Sequence, residues 1–176
     1  MLRGVNLVKR NRVAMPELRK ALEADGFVDV KTYVQSGNIV LSSKASPERV
    51  TKRVQAVIKE RFSLDIAVVV RSHAQLKAVV RRNPLARVAN NPKRHLVTFL
   101  SARLPRELAA KLRAVAGSEE RFAISGAEIY SWHPEGVGRS PLLERIAAKS
   151  LGITATSRNW DTVTTLLAMS EDATAR

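Results

Sequence analysis

Residues 28–41 read Val28-Asp29-Val30-Lys31-Thr32-Tyr33-Val34-Gln35-Ser36-Gly37-Asn38-Ile39-Val40-Leu41. Val28, Val30, Thr32 and Val34 alternate with Asp29, Lys31 and Tyr33, which is the spacing of a strand with one covered face. Gly and Asn tolerate positive φ, so Ser36-Gly37-Asn38 is expected to turn the chain into a second strand, Ile39 to Leu41. Upstream, Met15, Leu18, Ala21 and Leu22 follow helical spacing, with Asp25-Gly26 as the stop. Leu2 to Leu7 makes a short extended start. Downstream, Ser46-Pro47-Glu48 reads as an N-cap, a proline at the first helical position and an acid in the first turn. The helix it opens carries Val50, Val54, Val57, Ile58 and Phe62 on one stripe, and Ile66 to Val70 reads as a strand. The order is βαββαβ.

The second half repeats that order. A helix holding Leu76, Val79 and Val80 leads to a loop with Pro84 and Pro92, then a strand, Leu96 to Leu100. Pro105 opens a helix with Leu108, Leu112 and Val115 that is expected to end at Gly117. Arg121 to Ser125 and Glu128 to Trp132 form a hairpin around Ser125-Gly126. Ser140-Pro141 starts a helix with Leu143, Ile146 and Ala147, ending near Gly152. Ile153 to Thr156 is the last strand and Trp160 to Met169 the last helix.

Two internal matches point to a duplication. Val34-Gln35-Ser36-Gly37-Asn38-Ile39 aligns with Ala123-Ile124-Ser125-Gly126-Ala127-Glu128, and Val70-Arg71-Ser72-His73 precedes a helix as Ser157-Arg158-Asn159-Trp160 does. The expected fold is α+β: two tandem ferredoxin-like (βαββαβ) subdomains, each followed by an extra helix. The expected divisions are residues 1–83, a linker 84–93, and 94–176 with the C-terminal helix.

The chain has 176 residues, 45% of them apolar, enough for a core. With no cysteine, disulfides, thiolate zinc sites, iron–sulfur clusters and a Cys nucleophile are excluded. Its longest aliphatic run, about Ile66 to Val70, is far short of a membrane helix, and a cytoplasmic setting is expected. Thirty Lys and Arg against 16 Asp and Glu give a net charge of +14, which favours acidic partners. Between Ile66 and Arg106 there are nine basic residues and no Asp or Glu. Within that stretch Arg81, Arg82, Arg87, Lys93 and Arg94 are the candidate nucleic-acid contacts. Solvated surface charge is the competing reading.

Leu2-Arg3-Gly4-Val5-Asn6, Met15-x-Glu17-Leu18, Gln35-Ser36-Gly37-Asn38 and Arg158-Asn159-Trp160-Asp161-Thr162-Val163 together resemble the bacterial domain-of-unknown-function family numbered 1697. The resemblance runs essentially end to end. It implies a duplicated α+β fold with ferredoxin-like subdomains and no established activity. Where that family has glycines after the Asn, this chain has Val8-Lys9, which weakens a backbone phosphate nest there. Its Ser-Lys-Leu is Ser140-Pro141-Leu142 here, which removes a candidate anion-binding lysine.

Signatures of catalysis are sparse. His73, His95 and His133 are isolated, with no pair at metal-ligand spacing, and each is expected at the surface or at a cap. Glu119-Glu120 is expected to point to opposite sides of a strand. GxGxxG, a P-loop and a Gly-x-Ser-x-Gly elbow are missing, and neither metal nor cofactor is expected. What remains is a polar set: Arg3, Asn6, Ser36, Asn38, Arg158 and Asn159, with Gln35 and Thr162 beside them. Arg supplies a fork for phosphate or carboxylate, and Asn and Ser supply neutral hydrogen bonds, so this set is the candidate anion site. The structural alternative is a hairpin turn at Ser36-Gly37-Asn38, an N-cap at Asn159, and bridges from the arginines to Glu17 or Asp161. Tyr130 and Trp132 share one strand face, where burial is favoured over base stacking. The expected function is non-catalytic binding of anionic ligands, either weak non-specific nucleic acid or phosphorylated molecules. The alternatives are a small metal-independent enzyme acting on such a substrate, or a protein-interaction module; the oligomeric state stays open.

Overall fold

The computed structural model describes residues 1–6, 11–116, 119–138, 140–147 and 152–174. The elements are α1 (Met15–Ala24), β1 (Val28–Tyr33), β2 (Asn38–Ser42), α2 (Pro47–Phe62), α3 (His73–Arg82), β3 (His95–Leu100), α4 (Arg106–Val115), β4 (Arg121–Ser125), β5 (Glu128–Trp132), α5 (Pro141–Ala147), β6 (Ala155–Asn159) and α6 (Trp160–Thr174). Among the described residues this is a mixed α+β fold with two sheets, one two-stranded and one four-stranded. The chain divides into two compact units, Met1–Lys77 with Thr165–Arg176, and Ala78–Thr164. Those limits differ from the boundaries expected at 83 and 94, and segment 84–93 lies inside the second unit.

Local signals account for the helix ends. Ser46 caps α2, its hydroxyl accepting from the Arg49 N–H at 3.4 Å. Ser63 closes the same helix in the left-handed region at φ 55°, its N–H donating to the Lys59 carbonyl. Ser72 and Gln75 form a reciprocal box at the start of α3: each backbone N–H donates to the other's side chain, at 2.9 and 3.2 Å. Ser140 caps α5, accepting from the Leu143 N–H at 3.0 Å. The expected stop at Gly117 and the Val8-Lys9 substitution lie outside the described residues.

In the first unit, β1 pairs antiparallel with β2. Leu2, Leu18, Leu22 and Ile58 are fully buried in its core, joined by Val54 and Ile66. The expected strands at Leu2–Leu7 and Ile66–Val70 reduce, among the described residues, to one antiparallel bridge between Leu2 and Val68. Backbone bonds around it run Arg3 N–H to Ala67 O, Val69 N–H to Met1 O and Leu2 N–H to Gly37 O, all between 2.8 and 2.9 Å. The valine face of β1 is also corrected. Val30 is buried, whereas Val28 and Val34 are 61% and 51% exposed. Asp29 at φ 53° breaks the register between Val28 and Lys31, and Val34 at φ 50° has already left the strand.

In the second unit the strand order is β4-β5-β3-β6, every neighbouring pair antiparallel. Leu100, Leu112, Ile129, Leu142 and Ile146 form a core beneath it, with α4 and α5 supplying Leu112, Leu142 and Ile146. The last strand begins later than expected, at Ala155, so Arg158 lies within it, opposite Val97. The two hairpins are not register-equivalent. Val34–Gly37 separates Tyr33 from Asn38, whereas only Gly126-Ala127 separates Ser125 from Glu128.

Candidate functional site

The Gln35-Ser36-Gly37-Asn38 motif locks onto the N-terminal segment of the first unit. Gly37, at φ 79°, sits so close to that segment that a Cβ there would lie 2.6 Å from Val5 Cγ2 and 2.7 Å from Leu2 Cβ. Asn6 spends both amide protons, on Val13 O at 3.0 Å and Gln35 O at 2.7 Å, and its Oδ1 accepts from the Val13 N–H at 2.9 Å. Asn38 is fully buried and donates to Tyr33 O and Ser36 Oγ, at 3.1 and 3.0 Å. These side chains hold the hairpin to the chain start. Arg3, half-buried, belongs to the same unit.

Arg158 and Asn159 belong to the second unit. Asn159 is the N-cap of α6, its Oδ1 accepting from the Thr162 N–H at 3.0 Å. Arg158 is buried and donates through Nη1 to Thr156 Oγ1 at 2.8 Å and Ser157 O at 2.7 Å. Burial lowers its guanidinium pKa to about 10, which still leaves it charged at neutral pH.

The basic candidates are displayed on the second unit. Arg81 and Arg82 occupy the last turn of α3, and both are exposed, as are Arg87, Lys93 and Arg94. The loop carrying the last three is well tied. Asn83 Oδ1 accepts from the Leu85 N–H at 3.1 Å, and Asn91 Oδ1 accepts from the Lys93 N–H at 3.0 Å. The His95 N–H reaches Asn91 O, the Trp160 N–H reaches Pro92 O, and the Arg94 guanidinium donates to Pro134 O. Five cations thus project from a helix end and an ordered loop without an intervening acid.

Tyr130 and Trp132 are buried, so neither offers a face to a base. The Tyr130 hydroxyl donates to Val79 O at 3.0 Å, and burial, with Glu128 nearby, pushes its pKa up to about 12.

The histidines require correction. His95 and His133 are 1% exposed, not surface or capping residues; His73 is half-buried at the start of α3. Glu119 and Glu120 precede β4 instead of straddling a strand. Glu120 Oε1 accepts from His133 Nδ1 at 2.8 Å and from the Ser140 hydroxyl, and His133 Nε2 meets Ser131 Oγ at 2.8 Å. This Ser–His–Glu chain has the connectivity of a proton relay. Ser131 is fully buried, so its hydroxyl is sealed from any substrate and the chain is a polar network in the core. Sequence spacing gave no hint of it, because its members come from two strand ends and a helix cap. Among the described residues no group of His, Cys, Asp and Glu could hold a metal ion. No helix among them is long and apolar enough to cross a membrane.

Residues 1–130 match the family described as Protein of unknown function (DUF1697). The chain belongs to the DUF1697 family. The fold is similar to that of a conserved bacterial protein from Streptococcus pneumoniae. That protein superposes with a TM-score of 0.74 at 19% identity, covering 96% of this chain and 95% of its own. No curated protein matches the sequence.

Proposed function

We propose that this DUF1697 protein binds nucleic acid and related polyanions weakly and without sequence preference, through the basic surface of its second unit. The observation that carries this reading is the exposed set Arg81, Arg82, Arg87, Lys93 and Arg94, held on a helix end and a tied loop within an acid-free stretch. Guanidinium forks and an ammonium on an ordered scaffold neutralise phosphates with little ordering cost, and each neutralised phosphate releases counterions. Burial of Tyr130 and Trp132 removes the stacking platform that base reading needs, which favours backbone contacts over sequence recognition. A cytoplasmic setting, where such polyanions are abundant, fits this reading.

The experiment is fluorescence anisotropy with labelled single- and double-stranded oligonucleotides of unrelated sequence, over a salt series. Affinities should agree between sequences and fall with salt, with a log–log slope of about −4 to −5 if the five cations each meet a phosphate on duplex DNA. Absence of binding at low salt, or a slope near zero, overturns it.

We also infer that each unit derives from one βαββαβ pattern. The order β4-β5-β3-β6 and the Leu2–Val68 bridge support this, with the first unit's outer strands worn down to single contacts. Superposition of the two units in an experimental structure tests it; helices on opposite sheet faces would reject it.

A further inference from the structure

The first unit contains an open cavity of about 690 Å³, lined by residues of that unit alone. Its size falls in the range of about 300–1,000 Å³ typical of small-molecule sites. Several separate stretches of the chain wall it, so it is a concavity and not a flat face. Ile39 and Leu41 come from β2, Val54 from α2, Val68 from the bridge, Leu76 from α3 and Leu166 from α6. Val28, which the register break in β1 leaves 61% exposed, also lines it.

The polar side chains among its walls are engaged with the protein itself. The Ser42 hydroxyl donates to an Asp29 carboxylate oxygen at 3.1 Å. Ser43 Oγ accepts from the Ala45 N–H at 3.1 Å, and Ser72 Oγ from the Gln75 N–H at 3.2 Å. The Arg71 guanidinium donates through Nη1 to Val70 O at 2.9 Å, and His73 Nδ1 lies 3.0 Å from Ser170 Oγ. Lys44, the other charged residue of the lining, is exposed. With the Asp29 carboxylate bonded to Ser42 and the cations of Lys44 and Arg71 nearby, the polar side carries both signs of charge and favours neither. A charged guest would give up its hydration without a partner committed to it. A hydrocarbon surface gives up nothing and covers aliphatic walls that water cannot hydrogen-bond.

We propose that this cavity binds a small uncharged apolar molecule, an alkyl chain or ring system carrying at most a hydroxyl. The guest packs against Leu41, Val54 and Leu76, and burial of apolar area supplies the affinity. A second copy of the chain is a poor occupant. Among the described residues the exposed large apolar side chains are valines, Val28, Val34, Val88, Val115 and Val137. Their surface offers no exposed leucine, isoleucine or aromatic ring to enter a cavity of this size.

The test uses the full chain with phenylnaphthylamine, an uncharged probe whose fluorescence rises in apolar surroundings. Decanol, decanoate and decyltrimethylammonium compete for it at neutral pH, each below its micellar concentration. Decanol should displace the probe at concentrations at least about tenfold lower than either ion, because an ion must lose hydration to enter. Lys44→Ala should leave the affinity for decanol within about threefold of wild type. Leu76→Trp, which fills the cavity, should weaken probe binding by at least about tenfold. Leu76 is buried, so Ala74→Trp, at an exposed position that also lines the cavity, takes its place if that variant fails to unfold cooperatively. Decanol should shift the amide resonances of Leu41, Val54 and Leu76. The proposal is overturned if wild type does not bind the probe, if either ion competes as well as decanol, or if the tryptophan variant that folds binds the probe as wild type does. Shifts confined to residues 78–164 overturn it too. So does a dimer in sedimentation that the probe dissociates, since a second copy would then be the occupant.

Discussion

His95 lies flat on Trp160, ring centroids 4.6 Å apart and planes 12° from parallel, while its Nε2 has no hydrogen-bond partner among the described residues. The stack and 1% exposure bury an imidazole that must stay neutral. Burial, with His133 alongside, lowers its pKa to about 4 from an ordinary 6.5. Between those values the unfolded chain binds a proton that the folded chain refuses, so stability rises with pH across the window. The contribution is intact above about pH 6.5 and is lost as pH falls toward 4, by on the order of 3 kcal/mol in full. Urea unfolding at neutral pH and near pH 4.5 should show the loss, and His95→Phe should flatten much of it. An unchanged pH slope in that variant would show that His95 is not its source.

Gly37 is confined from two directions. Its φ of 79° disfavours any side chain, and a Cβ would meet Leu2 and Val5 closer than 3 Å. Gly37→Ala should destabilise by about 3 kcal/mol, combining a left-handed residue with overpacking of a core contact. Gly26, at φ 89° with its nearest neighbour 3.8 Å away at Arg53, should lose only about 1 kcal/mol on the same change. Chemical denaturation of the pair checks the contrast.

Asn6→Asp keeps shape and removes donors. Two carbonyls, Val13 O and Gln35 O, would then face a carboxylate. A fall in stability of about 2–4 kcal/mol with no added anion is the expected outcome. A variant of wild-type stability that has lost anion-induced stabilisation would place Asn6 in a ligand site instead.

Glu120→Ala leaves buried His133 Nδ1 and the Ser140 hydroxyl without their shared acceptor. The expected cost is about 2–3 kcal/mol, and Glu120→Gln, which retains an acceptor, should cost less. Thermal unfolding of both variants measures the difference.

Arg81→Ala with Arg82→Ala should weaken oligonucleotide binding equally for every sequence and reduce the salt slope by about 2 in magnitude. Unequal losses between sequences would mean that these arginines read bases.

Much of the helical framework was legible locally. Ser46-Pro47-Glu48, Ser140-Pro141 and Asn159 announce helix starts because a cap is satisfied by groups a few residues apart. The hairpins were equally legible, since turn chemistry is local. Burial of Tyr130 and Trp132 was also anticipated, from apolar mass at strand spacing. The β1 valine face was misjudged because a bulge at Asp29 changes which side each residue faces, and no pattern of side chains announces a bulge.

By itself the sequence determined an α+β chain of alternating strands and helices, a large positive charge and a basic stretch without acids. Those properties are additive along the chain. Only the tertiary structure decided that Asn6, Ser36 and Asn38 bond to their own backbone and hairpin, that His133 joins Glu120 and Ser131, and that side chains of β2, α2, α3 and α6 line one open cavity. Each depends on hydrogen-bond and packing partners brought together from distant positions. Short-range propensity and periodicity, which carry the sequence reading, are blind to such pairings.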